Sequence, residues 1–168
     1  MTFHQKLADF VLGNTTILDL PEVAMMGLNE GYESESLIIL AGFCKYENGF
    51  EILSYFKKAL SELNIELKSE KEAAIEMIHF YVDEILNERI DAIEGIKIII
   101  KDILDVTSLL EETESAAYDS IAFDRLYSLY WKIDEFLDYD YSVETDRFTN
   151  EIRQELLLWK KKIHLIES

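Results

Sequence analysis

Carboxylates are the most numerous chemically active groups in this sequence, and they are densest between residues 134 and 146. The stretch "DEFLDYDYSVETD" contains six carboxylates and two tyrosines but no Lys or Arg. Carboxylates can bind a metal ion, transfer protons, or pair with the cations of a partner protein. The neighbouring residues indicate which of these three functions the carboxylates serve.

One spacing is typical of a transition-metal ligand pair. Glu76-x-x-His79 has the separation found in di-iron helical bundles, but such a site needs this pair twice and two further carboxylates. Neither His4 nor His164 has a Glu three residues earlier. We therefore expect His79 to be a hydrogen-bonded core or boundary residue, and we predict no metal ligands.

A second pattern resembles a magnesium site. Asp134-Glu135-x-x-Asp138 places three carboxylates on one helical face. Enzymes that bind diphosphates in this way normally use two facing clusters, and the other available set lacks the same arrangement: Asp83, Glu84 and Glu88. The stretch 134–146 itself contains no basic residue that could hold a substrate phosphate. A divalent-metal-dependent nucleotide hydrolase of all-α type therefore stands only as an alternative function.

Nucleophilic catalysis has less support still. Cys44 and the histidines lie in no recognisable catalytic context, and no Gly-rich phosphate loop occurs. Cys44 cannot form an internal disulfide, and its apolar surroundings, "LIILAGFCKY", predict a buried side chain. We predict no catalytic residue and no cofactor.

The net charge of −18, from 34 acidic and 16 basic residues, constrains the partners. Such a chain repels nucleic-acid phosphates and anionic membranes, and it attracts basic proteins. Residues 105–151 alone contain 13 acidic and 3 basic side chains, so the acidity is concentrated on the penultimate predicted helix and its flanks. Asp9 interrupts any apolar segment of a signal peptide, and no stretch is long enough to span a membrane. The sequence predicts a cytoplasmic protein.

Helical periodicity runs through almost the whole chain, and 49% of the residues are apolar. It predicts an all-α bundle of seven to eight helices, with the last two forming a hairpin on the main core. We expect a single domain, 1–168, with a subdivision into 1–111 and 112–168 as an alternative. The expected helices cover about 2–12, 21–31, 34–46, 50–63, 70–88, 93–104, 119–138 and 144–165.

Local signals define several of these boundaries. Ser69 followed by Glu72 forms a capping box that opens the fifth helix. Asn48-Gly49 is typical of a turn. Asn64 is expected to cap the end of the fourth helix.

The predicted helix 119–138 has a core stripe and an opposite stripe. The core stripe consists of Ala122, Leu126, Leu129, Ile133 and Phe136. The opposite stripe consists of Asp124, Ser128, Trp131, Glu135 and Asp138. Trp131 therefore lies among carboxylates on the face that should contact water.

An exposed Trp flanked by Tyr and carboxylates has the composition of a protein-binding hot spot. The alternative is that Trp131 packs beneath a neighbouring element, as large side chains usually do. The predicted partner-binding residues are Asp124, Tyr127, Trp131, Asp134, Glu135, Asp138, Tyr139, Asp140, Tyr141 and Glu144.

Three segments within residues 31–104 carry a family resemblance: "GYESESLIILAG", "FEILSYFKKALSELNIEL" and "ERIDAIEGIKIII". The residues that carry it are Gly31, Ser34, Leu37, Leu40, Ala41, Gly42, Glu94 and Gly95. This pattern resembles small acidic all-α bacterial proteins of unknown activity, which are similar to the immunity proteins of polymorphic toxin systems. The resemblance implies a helical framework and a toxin domain as the partner. It implies no catalytic residue, and it does not cover the acidic C-terminal third.

Charge, aromatic placement and this resemblance together predict a non-catalytic protein that binds and neutralises a basic partner. A structural homodimer, formed through surplus apolar helix faces, is a further alternative.

Overall fold

The computed structural model describes residues 1–44, 48–107, 121–137 and 145–166. Over these ranges the chain forms eight α-helices and no β-strand, which confirms the predicted all-α bundle. The α-helices are α1 (Phe3–Val11), α2 (Leu20–Asn29), α3 (Glu35–Ala41), α4 (Gly49–Glu62), α5 (Glu70–Leu86), α6 (Ala92–Ile98), α7 (Asp124–Leu137) and α8 (Thr145–Ile166). A 3-10 helix covers Ile17–Asp19, and a π-helical segment covers Ile99–Leu104.

The chain divides into two compact units, Met1–Glu76 and Met77–Ser168. The division falls inside α5, so this helix contributes residues to both. We call them the N-terminal unit and the C-terminal unit and describe each by itself. The predicted single domain and its alternative subdivision after residue 111 stay predictions.

The N-terminal unit buries one apolar cluster contributed by α1 to α4. Its members are Phe3, Leu7, Leu20, Val23, Ala24, Leu37, Leu40, Ile52, Phe56, Ala59 and Leu60. Helices α1 and α2 approach closely because Gly27 has no side chain: a Cβ there would lie 3.1 Å from the Phe3 ring. The Phe3 N–H also donates to Glu30 Oε1 at 2.7 Å, so a carboxylate on α2 satisfies one free donor of α1.

Two predicted helix boundaries in this unit are confirmed. Ser69 and Glu72 form the capping box, with the Ser69 N–H donating to Glu72 at 2.9 Å and the Glu72 N–H donating to Ser69 Oγ at 3.3 Å. Asn64 follows the end of α4 with φ of 53°. Asn tolerates this left-handed conformation better than most residues do, which suits the position after a helix.

The predicted turn at Asn48-Gly49 is wrong in its geometry. Asn48 is the N-cap of α4, and its side-chain oxygen accepts from the Phe50 N–H at 3.0 Å. Gly49 is already the first helical residue. Asn favours both turns and N-caps because its side chain bonds nearby backbone N–H groups, so composition alone did not separate the two.

Helix α3 is shorter than predicted, and Cys44 is exposed rather than buried. The N–H groups of Gly42 and Phe43 bond the carbonyls three residues earlier, both at 3.1 Å. This tightening ends the helix after Ala41. Cys44 therefore no longer follows the helical repeat that would have placed it on the apolar face. Residues 45–46 of the predicted helix lie outside the described part of the chain.

In the C-terminal unit, the expected α-helix over residues 93–104 changes to π geometry at Ile99. The Asp105 N–H donates to the Ile100 carbonyl, five residues earlier, at 2.8 Å. The buried positions repeat every four residues: Gly95 and Ile96, Ile99 and Ile100, Ile103 and Leu104. An α-helix has 3.6 residues per turn, so a repeat of four would drift around it, and the wider π turn keeps these side chains on one face.

Helix α7 begins at Asp124, later than the predicted start at 119. Ala122 adopts φ of 55° and lies in a turn, so its predicted place in the core stripe is wrong. Leu126, Leu129 and Ile133 are buried as expected. Residues 119–120, Asp138 and the side chain of Phe136 lie outside the described part of the chain.

Helices α7 and α8 pack against each other and against α6, as the predicted C-terminal hairpin requires. Phe148, Ile152, Leu156, Trp159 and Ile163 of α8 are all buried. None of the helices that the structure describes is both long and apolar enough to cross a membrane.

Candidate functional site

The amphipathic pattern of α7 places Trp131 on the side away from its buried stripe. The prediction that this ring contacts water is confirmed, because the side chain is 43% exposed. Five of the predicted partner-binding residues are described on α7, and we call them the α7 face: Asp124, Tyr127, Trp131, Asp134 and Glu135. Their spacings of three and four residues make them neighbours along one side of the helix.

Two tyrosines support the Trp131 ring from the helix itself. Tyr127 and Tyr130 present their rings nearly edge-on to it, at centroid distances of 6.2 Å and 5.4 Å. This T-shaped arrangement is favourable for aromatic pairs. Tyr130 is buried, so it anchors the exposed indole to the interior of the C-terminal unit.

A lysine from the π-helical segment also contacts this cluster. Lys101 Nζ lies 4.5 Å from the centroid of the Trp131 ring and 5.8 Å from that of Tyr130. Both distances fall in the range of a cation–π contact. Lys101 also donates to Asp105 at 2.9 Å, and this hydrogen bond raises the pKa of the ammonium, which is therefore charged at neutral pH.

The carboxylates of the α7 face have no such cation. Within the described residues, no ion pair involves Asp124, Asp134 or Glu135. Asp134 accepts only a long hydrogen bond, 3.4 Å, from the Tyr130 hydroxyl. Burial, followed by the negative charge of Asp134, raises the pKa of Tyr130 above its ordinary value, so this phenol is neutral at physiological pH.

The remaining predicted residues are Asp138, Tyr139, Asp140, Tyr141 and Glu144, and they lie outside the described residues. Their part in the site stays a prediction. The structure thus brings half of the predicted set together on one helix and adds Lys101, whose place beside Trp131 no sequence pattern indicated.

Several carboxylates elsewhere in the C-terminal unit are paired with cations of the same unit. Asp83 meets Lys160 at 2.6 Å, Glu84 meets Arg89 at 2.6 Å, and Glu88 meets Arg153 at 3.0 Å. These three acids are the second cluster considered for magnesium. Among the described residues, no group of three or more His, Cys, Asp or Glu is arranged to hold a metal ion.

The pair considered for a di-iron site is engaged in other contacts. Glu76 forms an ion pair with Lys68 at 2.8 Å. His79 is half-buried, and its ring lies 4.8 Å from that of Trp159, centroid to centroid. These positions match the boundary histidine that the sequence favoured.

A shallow groove of about 290 Å³ runs between α7 and α8 beside the α7 face. Its lining is Asp124, Arg125, Ser128, Leu129, Lys132, Glu151 and Glu155. Cations from α7 stand opposite carboxylates from α8, and Arg125 approaches Glu155 to 3.7 Å. Because both signs of charge are present, the groove does not favour a partner of either sign, unlike the exposed aromatic and acidic side of α7.

Comparison with known proteins finds no match. This holds for family models, for curated proteins and for solved structures alike. The chemistry of the α7 face must therefore be judged from its own geometry.

Proposed function

We propose that this protein binds a basic protein through the α7 face and blocks that partner's functional cleft, as an immunity protein blocks a toxin. The main observation behind the proposal is that Lys101 Nζ lies 4.5 Å from the centroid of the Trp131 ring. The exposed indole already accepts a cation from its own chain. A cation from a second protein would find the same aromatic surface with additional carboxylates beside it.

The distribution of charge around Trp131 also favours a cationic partner. Asp134 and Glu135 follow Trp131 by three and four residues, and neither is ion-paired within the described residues. Unpaired carboxylates steer a cationic partner toward the surface and increase the association rate. Well-coupled charge pairs across a protein interface contribute about 1.5–7 kcal/mol each, so a few such pairs would give tight binding.

The proposed mechanism is occlusion without chemistry. Trp131 and the tyrosines supply apolar area that loses water on contact, and the carboxylates pair with Arg or Lys around the partner's cleft. The acidic residues 138–144 would extend the same surface. The resemblance to small acidic immunity-like proteins, and a cytoplasmic location, belong to this proposal.

A binding experiment with a matched control tests it. The purified protein is immobilised and exposed to an extract of the cells that encode it. Bound proteins are identified by mass spectrometry, purified, and titrated by calorimetry. The test variant combines Trp131→Ala with Glu135→Lys. The control combines Leu67→Ala with Glu66→Lys, because Leu67 is 40% exposed and Glu66 is an exposed acid, so both variants truncate an exposed apolar side chain and change the net charge equally.

We expect a partner with a pI above about 9 that binds the wild type and the control but not the test variant, with an affinity that falls as salt rises. Equal binding of the two variants would exclude the α7 face. Magnesium-dependent turnover of a nucleotide by the purified protein, without any basic partner, would favour the hydrolase instead. A stable dimer that binds no other protein would favour the structural alternative.

A further inference from the structure

Lys101 projects from an unusual part of the C-terminal unit. It lies in the π-helical segment, where the Asp105 N–H bonds the carbonyl five residues earlier. Single π turns within α-helices are rare and are often found at functional sites. Here the π segment carries the one cation that lies over the Trp131 ring among the contacts described.

The ion pair that positions Lys101 is exposed, so Lys101 can leave it. Its side chain is 39% accessible, and its carboxylate partner, Asp105, is 33% accessible. Exposed ion pairs separated by four residues on a helix are weak. A cation–π contact at an exposed site is also modest, so the ammonium can leave the ring without unfolding the surrounding helices.

We propose that Lys101 is an internal competitor for the Trp131 ring, and that the site takes an arginine side chain of a basic partner, which displaces Lys101. This inference rests on the proposed function and specifies it further. The vacated seat is the face of the indole that Lys101 covers in this structure. The Tyr130 ring lies nearly edge-on to the indole, and Asp134 and Glu135 follow Trp131 on the same helix.

Arginine fits this seat better than lysine does. A guanidinium is planar, stacks on an aromatic face and still presents N–H groups in its plane to a carboxylate. It could therefore cover Trp131 and bond Asp134 or Glu135 at the same time. A lysine ammonium is a compact point charge and would repeat the contact that Lys101 already makes, with less to gain from the neighbouring carboxylates.

Competition has a definite thermodynamic consequence. A ligand that needs the ring binds with its intrinsic affinity multiplied by the fraction of molecules in which Lys101 has left the ring. Removing the Lys101 charge should therefore strengthen the binding of any cation that uses this seat, by about threefold given the strength of an exposed cation–π contact. The preference for arginine belongs to the seat itself and should survive that change.

The test uses capped octa-arginine and octa-lysine peptides, which carry equal charge, titrated into the full-length protein by calorimetry. The variants are Lys101→Met, Trp131→Ala and the control Lys97→Met. Lys97 is an exposed lysine one turn earlier, so its replacement changes the net charge equally without touching the ring. Circular dichroism verifies that each variant is folded.

We expect octa-arginine to bind the wild type more tightly than octa-lysine, and Trp131→Ala to remove most of that preference. Lys101→Met should strengthen octa-arginine binding about threefold more than Lys97→Met does. Equal effects of the two lysine variants would overturn the competitor role while leaving the proposed function intact. Octa-lysine binding as tightly as octa-arginine would overturn the choice of arginine. Affinities for both peptides that do not depend on Trp131 would overturn the proposed site, and this inference with it.

Discussion

Trp159 and Trp131 lie on the last two helices of the same unit, and their surroundings are opposite. Trp159 is 1% exposed, and its Nε1–H donates to the Ile121 carbonyl at 2.9 Å. Its ring contacts those of Phe123 and His79. Trp131 is 43% exposed, and the group over its face is an ammonium. The first indole is positioned by hydrogen bonding and apolar packing, whereas the second is available to ligands.

The charged side chains near the two tryptophans also differ in their pairing. Lys160, next in sequence to Trp159, pairs with Asp83 across the unit. The carboxylates on either side of Trp131 have no ion-pair partner in the described ranges. The charge next to Trp159 is thus paired within the molecule, whereas the carboxylates near Trp131 form no ion pair in the described part of the chain. Mutations at the two tryptophans should therefore affect different measurements.

The largest expected effect is at Trp159. Trp159→Ala should lower the free energy of unfolding by about 3–5 kcal/mol, because it opens a cavity in the core of the C-terminal unit and removes a buried hydrogen bond. Trp131→Ala should cost less, about 1–2 kcal/mol, since 43% of the residue is exposed and its contacts are two edge-on tyrosine rings and one lysine. Urea denaturation followed by circular dichroism measures both. Similar losses for the two variants would abolish the distinction between them.

A smaller change sharpens the comparison. Trp159→Phe keeps an aromatic ring but removes the N–H that satisfies the Ile121 carbonyl. An unsatisfied buried carbonyl and a smaller ring should together cost about 1–3 kcal/mol. The matched substitution, Trp131→Phe, should leave the stability nearly unchanged, because among the described contacts its indole N–H forms no hydrogen bond. If Trp159→Phe were equally neutral, the hydrogen bond to Ile121 would have no part in fixing this ring.

The sequence contained enough information for the helices and for the direction in which each tryptophan points. Apolar residues at three- and four-residue spacing identified α7 and α8, and the opposite position of Trp131 on the helical wheel gave its exposure. The capping box at Ser69 could be predicted because both of its partners lie within four residues. Interactions of this kind are local, so one stretch of sequence specifies them.

The features that the sequence did not reveal depend on contacts between residues far apart in the chain or on backbone geometry. Lys101 is thirty residues from Trp131, and nothing in either segment indicates that they meet. The π turn that carries Lys101 was read as an α-helix, because isoleucines repeated at three and four residues fit both. Ala122 was assigned to a helix by its spacing, whereas its left-handed conformation precedes the true start of α7. Such differences are settled by packing, which a single sequence does not display.

The smallest expected effect is on the free energy of unfolding at alkaline pH. It depends on Tyr130, which packs beside Trp131. Burial and the Asp134 charge raise the pKa of Tyr130 in the folded protein, whereas an unfolded tyrosine titrates near about 10. Above that pH the unfolded chain has lost this proton and the folded one has kept it. Because the unfolded state then binds fewer protons, the free energy of unfolding falls as the pH rises. The hydrogen bond of Lys101 to Asp105 raises its pKa as well and acts in the same direction.

The variant that isolates this contribution is Tyr130→Phe. Below about pH 9 its stability should show the same pH dependence as the wild type, and above about pH 10 its stability should decline less steeply. Urea unfolding at a series of pH values measures the two slopes, and subtraction removes the tyrosines and lysines that both proteins share. Tyr55 packs against Phe43 in the N-terminal unit and has no carboxylate beside it among the described contacts, so Tyr55→Phe serves as the control. A slope for Tyr130→Phe that equals that of the control would mean that burial and the Asp134 charge do not raise the pKa of Tyr130 in the folded protein, and the electrostatic contrast between the two tryptophans would then rest on Lys101 alone.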